Sequence, residues 1–459
     1  MVKKNSVVEP VETTTQIDAP YELPEGWKWA RLVDVCETLT GSTPSKKRPE
    51  FYGGDFPFFK PADLDQGMQL FEASEYLSEH GKKCSRFIPA HSTLICCIGS
   101  IGKSGYSLRD GTSNQQINAA IPRSIINPKF LFYAVNSENF KNQLWKNSSS
   151  TTISIINKSK MDNCILPLPP LSEQQRIISR IESMFAKLDE AKEKAQNVVD
   201  SFEARKAAIL HQAFTGNLTA KWRKENIPEK SSQYLEAIKD KVKIRLDFKY
   251  WENPKLPDSW CESTIGNLLY FAGRVGWKGL KAEEYTQEGP ILLSVYNLNE
   301  GDEVTYNRIN HISMERYEES PEIMVREHDI LLTKDGAGIG KLGYINELPE
   351  KATINSSLLL IRPGKVANYK YIYYLLSGPA LQNLVKERIT GSATPHLFQR
   401  DIKEFILPIP SLSEQQEIVR ILDTVLEKEH IAKSAAEQVL EQIDLLKKSI
   451  LARAFRGEL

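Results

Sequence analysis

The sequence predicts a mixed α/β fold of the α+β type, in which two globular domains alternate with two long antiparallel helices in a pseudo-two-fold arrangement. Three observations support this prediction. The segment 165–218 returns at 406–459 without a gap, with 22 identical positions. Both copies carry a heptad pattern of apolar residues. Each copy follows a stretch, 23–166 or 256–407, in which short β-like runs alternate with glycine-rich turns.

Each repeat is expected to be one long helix. We interpret Ser172 with Gln175, and Ser413 with Gln416, as capping boxes at the two helix starts. Left-handed glycines are expected to end both helices, at Gly216 and Gly457. Between the start and the end of each helix, mostly apolar residues occur at alternating spacings of four and three positions. These heptad positions are Ile177, Ile181, Met184, Leu188, Ala191, Ala195, Val198, Phe202, Arg205 and Ile209 in the first copy, and Ile418, Leu422, Val425, Glu429, Ala432, Ala436, Val439, Ile443, Leu446 and Ile450 in the second.

A heptad stripe of this length favours a coiled coil over an ordinary amphipathic core helix, which stays the alternative. A helix over 173–214 would be about 60 Å long at 1.5 Å per residue. The intervening domain, with a diameter near ~40 Å, is too small to return the chain for parallel pairing. We therefore predict antiparallel helices with the globular domains at opposite ends. Arg205 and Glu429, the polar residues in the stripe, are expected to set register or partner docking.

The chain divides into six predicted segments. They are a flexible tail at 1–22, a first globular domain at 23–166, a central helix at 167–218, a basic connector at 219–255, a second globular domain at 256–407, and a C-terminal helix at 408–459. The domains open on Leu-Pro-x-x-Trp, at 23–27 and 256–260. We expect strands at 93–98, 330–332 and 357–361, and helices at 129–145, 232–243 and 370–387. The connector is interpreted as a solvated linker.

Composition excludes several classes of protein. There are 59 basic and 59 acidic residues, so net charge alone does not indicate a nucleic-acid binder, and partners would have to supply much of any contact with DNA phosphates. Residues 23–166 carry 17 basic and 13 acidic residues, whereas 256–407 carry 16 and 20. The residues before Tyr21 are polar and lack an apolar segment, so we do not expect them to be a signal peptide, and no run of 18 apolar residues occurs in the sequence. Six cysteines without a C-x-x-C pair suit a reducing cytosol, so a cytoplasmic protein without membrane association is expected.

Catalytic and metal-binding motifs are not apparent. The stretch Gly99-Ser100-Ile101-Gly102-Lys103-Ser104 has two residues, instead of four, between the first glycine and Gly-Lys of a phosphate-binding loop. Backbone contact with another phosphate, including that of DNA, stays open. The histidines form no H-x-x-x-H pattern, and Pro169-Pro170 lacks the flanking residues of an amino-methyltransferase site. We therefore expect no catalytic residue, no metal ligand and no cofactor bound by this chain.

Polar and basic residues in turns are the candidates for DNA contact. Arginine and lysine can bind guanine edges, and asparagine and glutamine can bind adenine edges, whereas lysines alone mostly contact phosphate. The candidate residues are Ser45, Lys46, Lys47, Arg48, Lys60, Lys103, Asn114, Gln115 and Gln116 in the first domain, and Arg274, Lys278, Lys281, Lys334 and Lys341 in the second. The alternative for each one is an ordinary solvated loop charge.

Several motifs resemble one known family. The repeated P-x-P-x-L-S-E-Q-Q, the A-F-x-G-x-L ends and the Leu-Pro-x-x-Trp openings are similar to those of the specificity subunit of Type I restriction–modification enzymes. The stretch 41–64 looks like the start of a target-recognition domain of that family. The resemblance covers 23–459, most closely in the repeats. One departure is that Thr219-Ala220-Lys221-Trp222-Arg223 follows the first A-F-x-G-x-L but has no equivalent after the second.

The resemblance implies a function and a set of partners. Each target-recognition domain would read one half of a bipartite site on double-stranded DNA. The helices would set the spacing and dock two modification subunits, which would methylate adenine with S-adenosylmethionine. Restriction subunits would add ATP- and Mg²⁺-dependent translocation and cleavage. The competing hypotheses are a coiled-coil scaffold that joins two protein-binding domains without DNA, and a fused methyltransferase–nuclease.

Overall fold

The structure is a computed structural model that describes residues 19–150, 153–226, 228–231, 256–274, 280–298, 302–336, 338–365, 367–389, 396–397, 402–403 and 406–459. The predicted tail up to residue 18 and the predicted helix at 232–243 lie outside the described residues. The chain separates into two compact units, residues 1–197 with 436–459, and residues 198–435. Both contain sheets and helices, which confirms the mixed α/β class. The six-segment division stays a prediction.

The first unit contains eleven strands and the first six helices among its described residues. The strands are β1 Lys28–Arg31, β2 Cys36–Thr40, β3 Tyr52–Phe59, β4 Tyr76–Leu77, β5 Thr93–Cys96, β6 Ser104–Tyr106, β7 Thr112–Ser113, β8 Ile117–Pro122, β9 Ser149–Ser150, β10 Ser154–Ile155 and β11 Ile165–Leu168. The helices are α1 Leu32–Val35, α2 Glu79–Lys83, α3 Pro128–Asn136, α4 Glu138–Lys146, α5 Lys158–Asp162 and α6 Leu171–Asp200, whose last three residues belong to the second unit.

An antiparallel four-stranded sheet with the order β2-β8-β5-β6 lies at the centre of the first unit. A three-stranded sheet, β4-β3-β7, combines an antiparallel and a parallel pair. Strand β1 pairs with β11, so the opening of the domain lies beside its last strand. Strand β11 is followed in the chain by α6, so this strand pair lies immediately before the first long helix.

The second unit repeats this plan. Its described strands are β12 Cys261–Thr264, β13 Leu269–Ala272, β14 Tyr285–Leu293, β15 Asn310–Ile312, β16 Ile330–Thr333, β17 Leu342–Tyr344, β18 Ala352–Ile354, β19 Leu358–Pro363 and β20 Ile406–Ile409. Its helices are α7 Phe202–Phe214, α8 Ala220–Asn226, α9 Ile265–Leu268, α10 Met314–Glu318, α11 Tyr369–Ser377, α12 Pro379–Ile389 and the first part of α13 Leu412–Arg456. The sheets are β13-β19-β16-β17, β15-β14-β18 and β12-β20, which match those of the first unit.

Three predicted helices are interrupted. The first repeat was expected to be one long helix, but it is divided at Ser201 into α6 and α7. The expected helix at 129–145 is α3 followed by α4, because Ser137 adopts an extended conformation and caps α4 by accepting a hydrogen bond from Phe140 N. The expected helix at 370–387 breaks in the same way at Gly378, between α11 and α12. The helical pattern was recognised correctly, but the internal start signal was missed.

The long helices begin at Leu171 and Leu412, two residues earlier than the capping boxes imply, so that prediction was wrong. Ser172 and Ser413 lie inside the first turn of α6 and α13. In the second copy Ser411 caps the helix by accepting a hydrogen bond from Glu414 N at 3.3 Å. The glycine prediction is confirmed, since Gly216 and Gly457 have φ values of 80° and 78° just beyond the helix ends.

The first glutamine of the L-S-E-Q-Q motif, Gln174 in one copy and Gln415 in the other, is not part of a capping box. Gln174 is fully buried, and its Oε1 accepts a hydrogen bond from Asn127 N, at the start of α3, at 2.7 Å. Gln415 is likewise buried and accepts from Asn368 N, at the start of α11, at 2.8 Å. These glutamines therefore tie the start of each long helix to the domain that precedes it.

Within each unit, segments of the two long helices run antiparallel. In the first unit Lys447 Nζ lies 2.5 Å from Asp189, and Lys192 Nζ lies 4.0 Å from Asp444. The residue numbers rise along one helix as they fall along the other, which confirms the predicted direction. In the second unit Arg205 Nε donates to Glu429 at 2.7 Å, so the two polar residues of the stripe pair with each other.

The predicted apolar stripe is confirmed in the first copy, whose ten heptad residues are all buried or half-buried. In the second copy Ala432, Val439 and Leu446 are exposed, Leu446 by 48%. The prediction was wrong at these three positions. Further along α13 the buried residues include Ile443 and Leu451, an eight-residue step. A straight helix with 3.6 residues per turn drifts away from a strict heptad in this manner.

The end of each long helix completes the core of a domain. Phe455 packs edge-to-face on Phe130 in the first unit, with ring centres 5.3 Å apart. Phe214 packs in the same way on Tyr371 in the second unit, at 5.5 Å. Because Phe214 and Phe455 occupy the same repeat position, as do Phe130 and Tyr371, the A-F-x-G-x-L ends serve one structural purpose twice.

The first part of the predicted connector is packed within the second unit, so its interpretation as a solvated linker was wrong for these residues. Arg223 of α8 donates to the carboxylate of Glu414 at 2.6 Å. Thr219 donates to the same carboxylate at 2.7 Å, and Trp260 Nε1 donates to it at 2.9 Å. Glu414 is completely buried. A buried carboxylate needs such partners, so Arg223 is a structural residue of the second unit.

All six cysteines are free thiols, and Cys84 is exposed. Among the residues that the structure describes, no three His, Cys, Asp or Glu side chains are grouped so that they could hold a metal ion. Within those same ranges, no helix is long and apolar enough to span a membrane.

Candidate nucleic-acid interface

Four turns meet at one end of the central sheet of the first unit, and we call residues 41–48, 60–63, 97–103 and 114–116 the first tip. Gly41 N donates to Ile117 O at 2.9 Å, and Cys97 N donates to Gln116 O at 2.7 Å. Asn114 N donates to Phe59 O at 3.2 Å. A Cβ at Gly41 would lie 2.1 Å from Asn114 O, so this close approach requires glycine.

The basic candidates of the first domain lie at or beside this tip. Ser45, Lys46, Lys47 and Arg48 are exposed on one loop, and the Arg48 guanidinium lies over the ring of Phe51. Lys60 and Lys103 are placed differently, since each forms an ion pair with a carboxylate. These pairs are Lys60 with Glu75 at 2.9 Å and Lys103 with Asp65 at 2.8 Å. The loop 45–48 therefore presents the least restrained cations of this group.

The three amide candidates have different roles. Asn114 is buried, and its side chain donates to Gln116 Oε1 at 3.0 Å and accepts from Gln116 N at 3.1 Å. Asn114 therefore shapes the turn, and its proposed contact with a base is corrected on that ground. Gln115 is exposed in this turn and accepts a hydrogen bond from Thr43. Gln115 is the amide that this turn offers to a ligand.

The second unit contains the equivalent second tip, formed by residues 273–274, 294–297, 334–336, 338–341 and 355–357. Asn355 N donates to Leu293 O at 2.9 Å, and Lys334 N donates to Ser357 O at 2.9 Å. Lys334 forms an ion pair with Asp335 at 2.7 Å, and Asp335 also contacts His396. Lys341 is exposed. Lys281 is exposed in the turn before β14, and Lys278 lies outside the described residues.

Arg274 does not face a ligand, which corrects its place among the candidates. Its side chain is buried, with Nε donating to Ile354 O at 3.1 Å and Nη2 donating to Thr353 Oγ1 at 3.2 Å. Burial, together with nearby Arg316, lowers the pKa of the Arg274 guanidinium. Sequence reasoning missed this because a glycine-flanked arginine next to a strand reads as a surface loop.

Two exposed residues near the tips were missed. Tyr296 is 69% exposed in the turn after β14. Asp63 and Asn297 stabilise equivalent turns in the two units. Asp63 accepts a hydrogen bond from Lys60 N at 2.7 Å, and Asn297 accepts one from Ser294 N at 2.8 Å. This match places Tyr296 at the position of Ala62. Arg86 is exposed, and its Nη1 donates to Thr40 O at 2.7 Å beside the first tip. Aligning the domains against each other is the signal that would have found Tyr296.

The fold agrees with comparisons to known proteins. The family of Type I restriction modification DNA specificity domains matches residues 24–200 and 278–442, which make up most of the chain and most of each predicted globular domain. The chain belongs to this family. It is 28% identical to the EcoBI specificity subunit of Escherichia coli over 435 residues, which cover 93% of this chain and 80% of that protein. It is 24% identical to the MjaIX specificity subunit of Methanocaldococcus jannaschii, over 89% and 88% of the two chains.

Solved structures share the fold. The HsdS subunit from Thermoanaerobacter tengcongensis matches with a TM-score of 0.62 and 20% identity, over 96% of this chain and 99% of that chain. A chain from a structure of a type I R-M system matches with a TM-score of 0.69 and 20% identity, over 96% and 100%. These proteins have the same mixed α/β architecture with long helices.

Proposed function

We propose that this chain is the DNA sequence-specificity subunit of a Type I restriction–modification complex, and that each tip reads one half of a bipartite DNA site. The observation that carries the proposal is that one chain builds the same tip twice but places different side chains on it. Gln115 and Lys46 occupy the first tip, whereas Tyr296 and Lys334 occupy the second. A protein that reads two unlike half-sites needs one scaffold with two sets of side chains.

The long helices set the spacing between half-sites and dock two modification subunits in this proposal. Support comes from the way the chain divides into units, since each unit contains the start of one long helix and the end of the other. A change in helix register would therefore alter both units. Inserting four residues after Ala195 tests this role, because it shifts α6 against α13. If the helices set the spacing, this insertion should prevent assembly of the complex or change the length of the spacer between the half-sites. A variant that assembles normally and keeps the spacer length would refute this role.

The chemistry belongs to the partners. We propose that this chain binds no cofactor and has no catalytic residue, whereas modification subunits use S-adenosylmethionine and restriction subunits use ATP and Mg²⁺. The target adenine must leave the base stack to be methylated, which is a task for the modification subunits. The complex would work in the cytoplasm, where chromosomal DNA is its substrate.

A methylation map tests the proposal. The chain is co-expressed with its modification subunit in a host without other adenine methylation, and methyladenine is mapped across the genome. The expected result is one bipartite motif. Replacing residues 23–166 with the domain of another family member should change only one half of that motif. A genome without any motif, or a motif unchanged by the exchange, would instead favour the coiled-coil scaffold.

A loop variant tests the first tip. Replacing Lys46, Lys47 and Arg48 together with glutamine should weaken DNA binding and reduce its salt dependence, by about 0.9 in logarithmic slope for each phosphate that is no longer neutralised. Binding with the original affinity and slope would remove this loop from the interface. A matched control carries glutamine at Lys28, Arg123 and Lys146, exposed residues of the same unit that do not belong to the first tip.

A further inference from the structure

A second basic surface lies beside the first tip, outside the set of DNA-contacting candidates. It is formed by α2 and the turn that follows it, residues 79–87, which we call the α2 surface. Lys83, Arg86 and Phe87 are exposed on it. Lys82 Nζ lies 4.9 Å from the ring centre of Phe56, and Phe56 stacks against Phe87 at 6.3 Å. The surface thus combines three cations, of which Lys82 lies 3.7 Å from the exposed carboxylate of Glu79, with an exposed aromatic ring.

The α2 surface is fixed to the loop that carries Lys46, Lys47 and Arg48. Ser78 Oγ donates to Glu50 O at 2.5 Å, and Ser78 N donates to Phe51 O at 2.9 Å. A Cβ at Gly81 would lie 2.1 Å from Phe51 O, so α2 packs directly on this backbone. Together with the bond from Arg86 to Thr40 O, these hydrogen bonds hold both basic segments at one side of the first tip.

The net charge of the first domain is concentrated in these two segments. Residues 23–166 contain 17 basic and 13 acidic residues. Residues 45–50 contain three basic and one acidic residue, and residues 79–86 contain three and one as well. The remainder of the domain therefore holds 11 of each and is neutral. Clustered lysine and arginine on one face is the electrostatic pattern of phosphate contact.

The equivalent elements of the second domain have the opposite charge. Helix α10 is capped by Ser313, which accepts from Arg316 N as Ser78 accepts from Gly81 N in α2. Its cation, Arg316, forms an ion pair with Glu284 at 3.0 Å. The exposed acidic residues of α10, of the residue that follows it and of the turn before β14 are Glu283, Glu315, Glu318 and Glu319. The same scaffold is therefore basic in one domain and acidic in the other.

We propose that the α2 surface binds backbone phosphates of the duplex next to the half-site read by the first tip, and that the two half-sites consequently contribute unequally to affinity. This inference rests on the proposed function. Phosphate contacts hold a duplex in position without reading its sequence, and each contact releases counterions. The acidic face of α10 repels phosphate instead. The first domain then supplies most of the salt-dependent affinity, whereas the second contributes mainly through contacts at its tip.

A charge variant tests this division. The variant Lys82→Gln with Lys83→Gln is compared with Lys28→Gln and Lys146→Gln, two exposed lysines of the same unit that lie on β1 and α4. The full chain, purified with its modification subunit, is titrated with a duplex carrying the mapped motif over a range of salt concentrations. Removing the cations that neutralise two phosphates should reduce the logarithmic salt slope by about 1.8 and weaken binding on the order of tenfold. The control pair should match the unmodified protein, and the methylation motif should not change.

A footprint on the unmodified protein gives a second measurement that does not depend on a variant folding. Cys84 is exposed at the end of α2. Duplex bound at the α2 surface should slow its alkylation by iodoacetamide several-fold, whereas a duplex without the motif should protect it less at the same concentration. An unchanged alkylation rate together with an unchanged salt slope would overturn the inference. If the complex shows no motif-selective binding at all, it is the proposed function that fails.

Discussion

Arg205 of α7 and Glu429 of α13 form an ion pair at 2.7 Å within the second unit. The Arg205 guanidinium also contacts Ser201 Oγ and donates to Val198 O at 3.3 Å, across the break between α6 and α7. The two residues that interrupt the apolar stripe are therefore each other's partner. Because Ser201 separates α6 from α7, the same arginine stabilises the break and the helix pairing at once.

Exchanging these charges tests whether the pair sets register. Arg205→Glu should lower the free energy of unfolding by about 1–2 kcal/mol, since it places two carboxylates together at a partly exposed position. Adding Glu429→Arg should recover part of that stability. Chemical denaturation of the four proteins in this double-mutant cycle measures the coupling. Independent, additive effects would show that the pair has no role in pairing the helices.

The buried carboxylate of Glu414 makes Arg223 a residue of high structural importance. Arg223→Met should lower the free energy of unfolding by about 3–5 kcal/mol, because it leaves a buried charge with only Thr219 and Trp260. The pair of Glu417 with the exposed Arg420 provides the control. Arg420→Met should leave the urea midpoint almost unchanged. Equal midpoints for the two variants would contradict the buried ion pair.

The glutamines that tie helix starts to domains can be tested in either unit. Gln415→Met keeps the size of the side chain but leaves Asn368 N and Pro410 O without their partner, which should destabilise the protein by about 2–4 kcal/mol. Gln416→Met, one residue further along and exposed, should have almost no effect. Thermal unfolding followed by circular dichroism compares the two. A greater destabilisation by Gln416→Met would reverse the assignment.

Thiol reactivity tests the placement of the cysteines. Burial raises the pKa of Cys36 and Cys97 to about 12, and that of Cys164 to about 11. At pH 8 these groups are therefore neutral thiols, whereas the reacting species is the thiolate. We expect Ellman's reagent to titrate one cysteine rapidly in the native protein and all six in denaturant. Cys84→Ser should abolish the rapid phase, and rapid reaction of several cysteines would disprove the burial.

The repeat predicted the helices, their direction and the two-domain plan, since heptads and chain order are local signals with few structural solutions. Burial was harder to predict. Arg274 and Asn114 look like surface residues in the sequence, yet the turns of the sheet direct them inward. The structural role of Gln174 was missed because its hydrogen-bond partner, Asn127, is remote in sequence. The direction in which a turn points its side chains depends on tertiary packing, and no periodic pattern records it.

The position of Phe455 in the first unit has a consequence for folding in the cell. Its ring completes the core around Phe130, and Phe455 O accepts a hydrogen bond from Tyr21, 434 residues away along the chain. A ribosome adds about 5–20 residues per second, so the first domain emerges roughly 15–60 s before the helix that closes it. During that interval the apolar surface around Phe130 is uncovered. The domain that is synthesised first is therefore the last to be finished, and molecular chaperones would have their main task there.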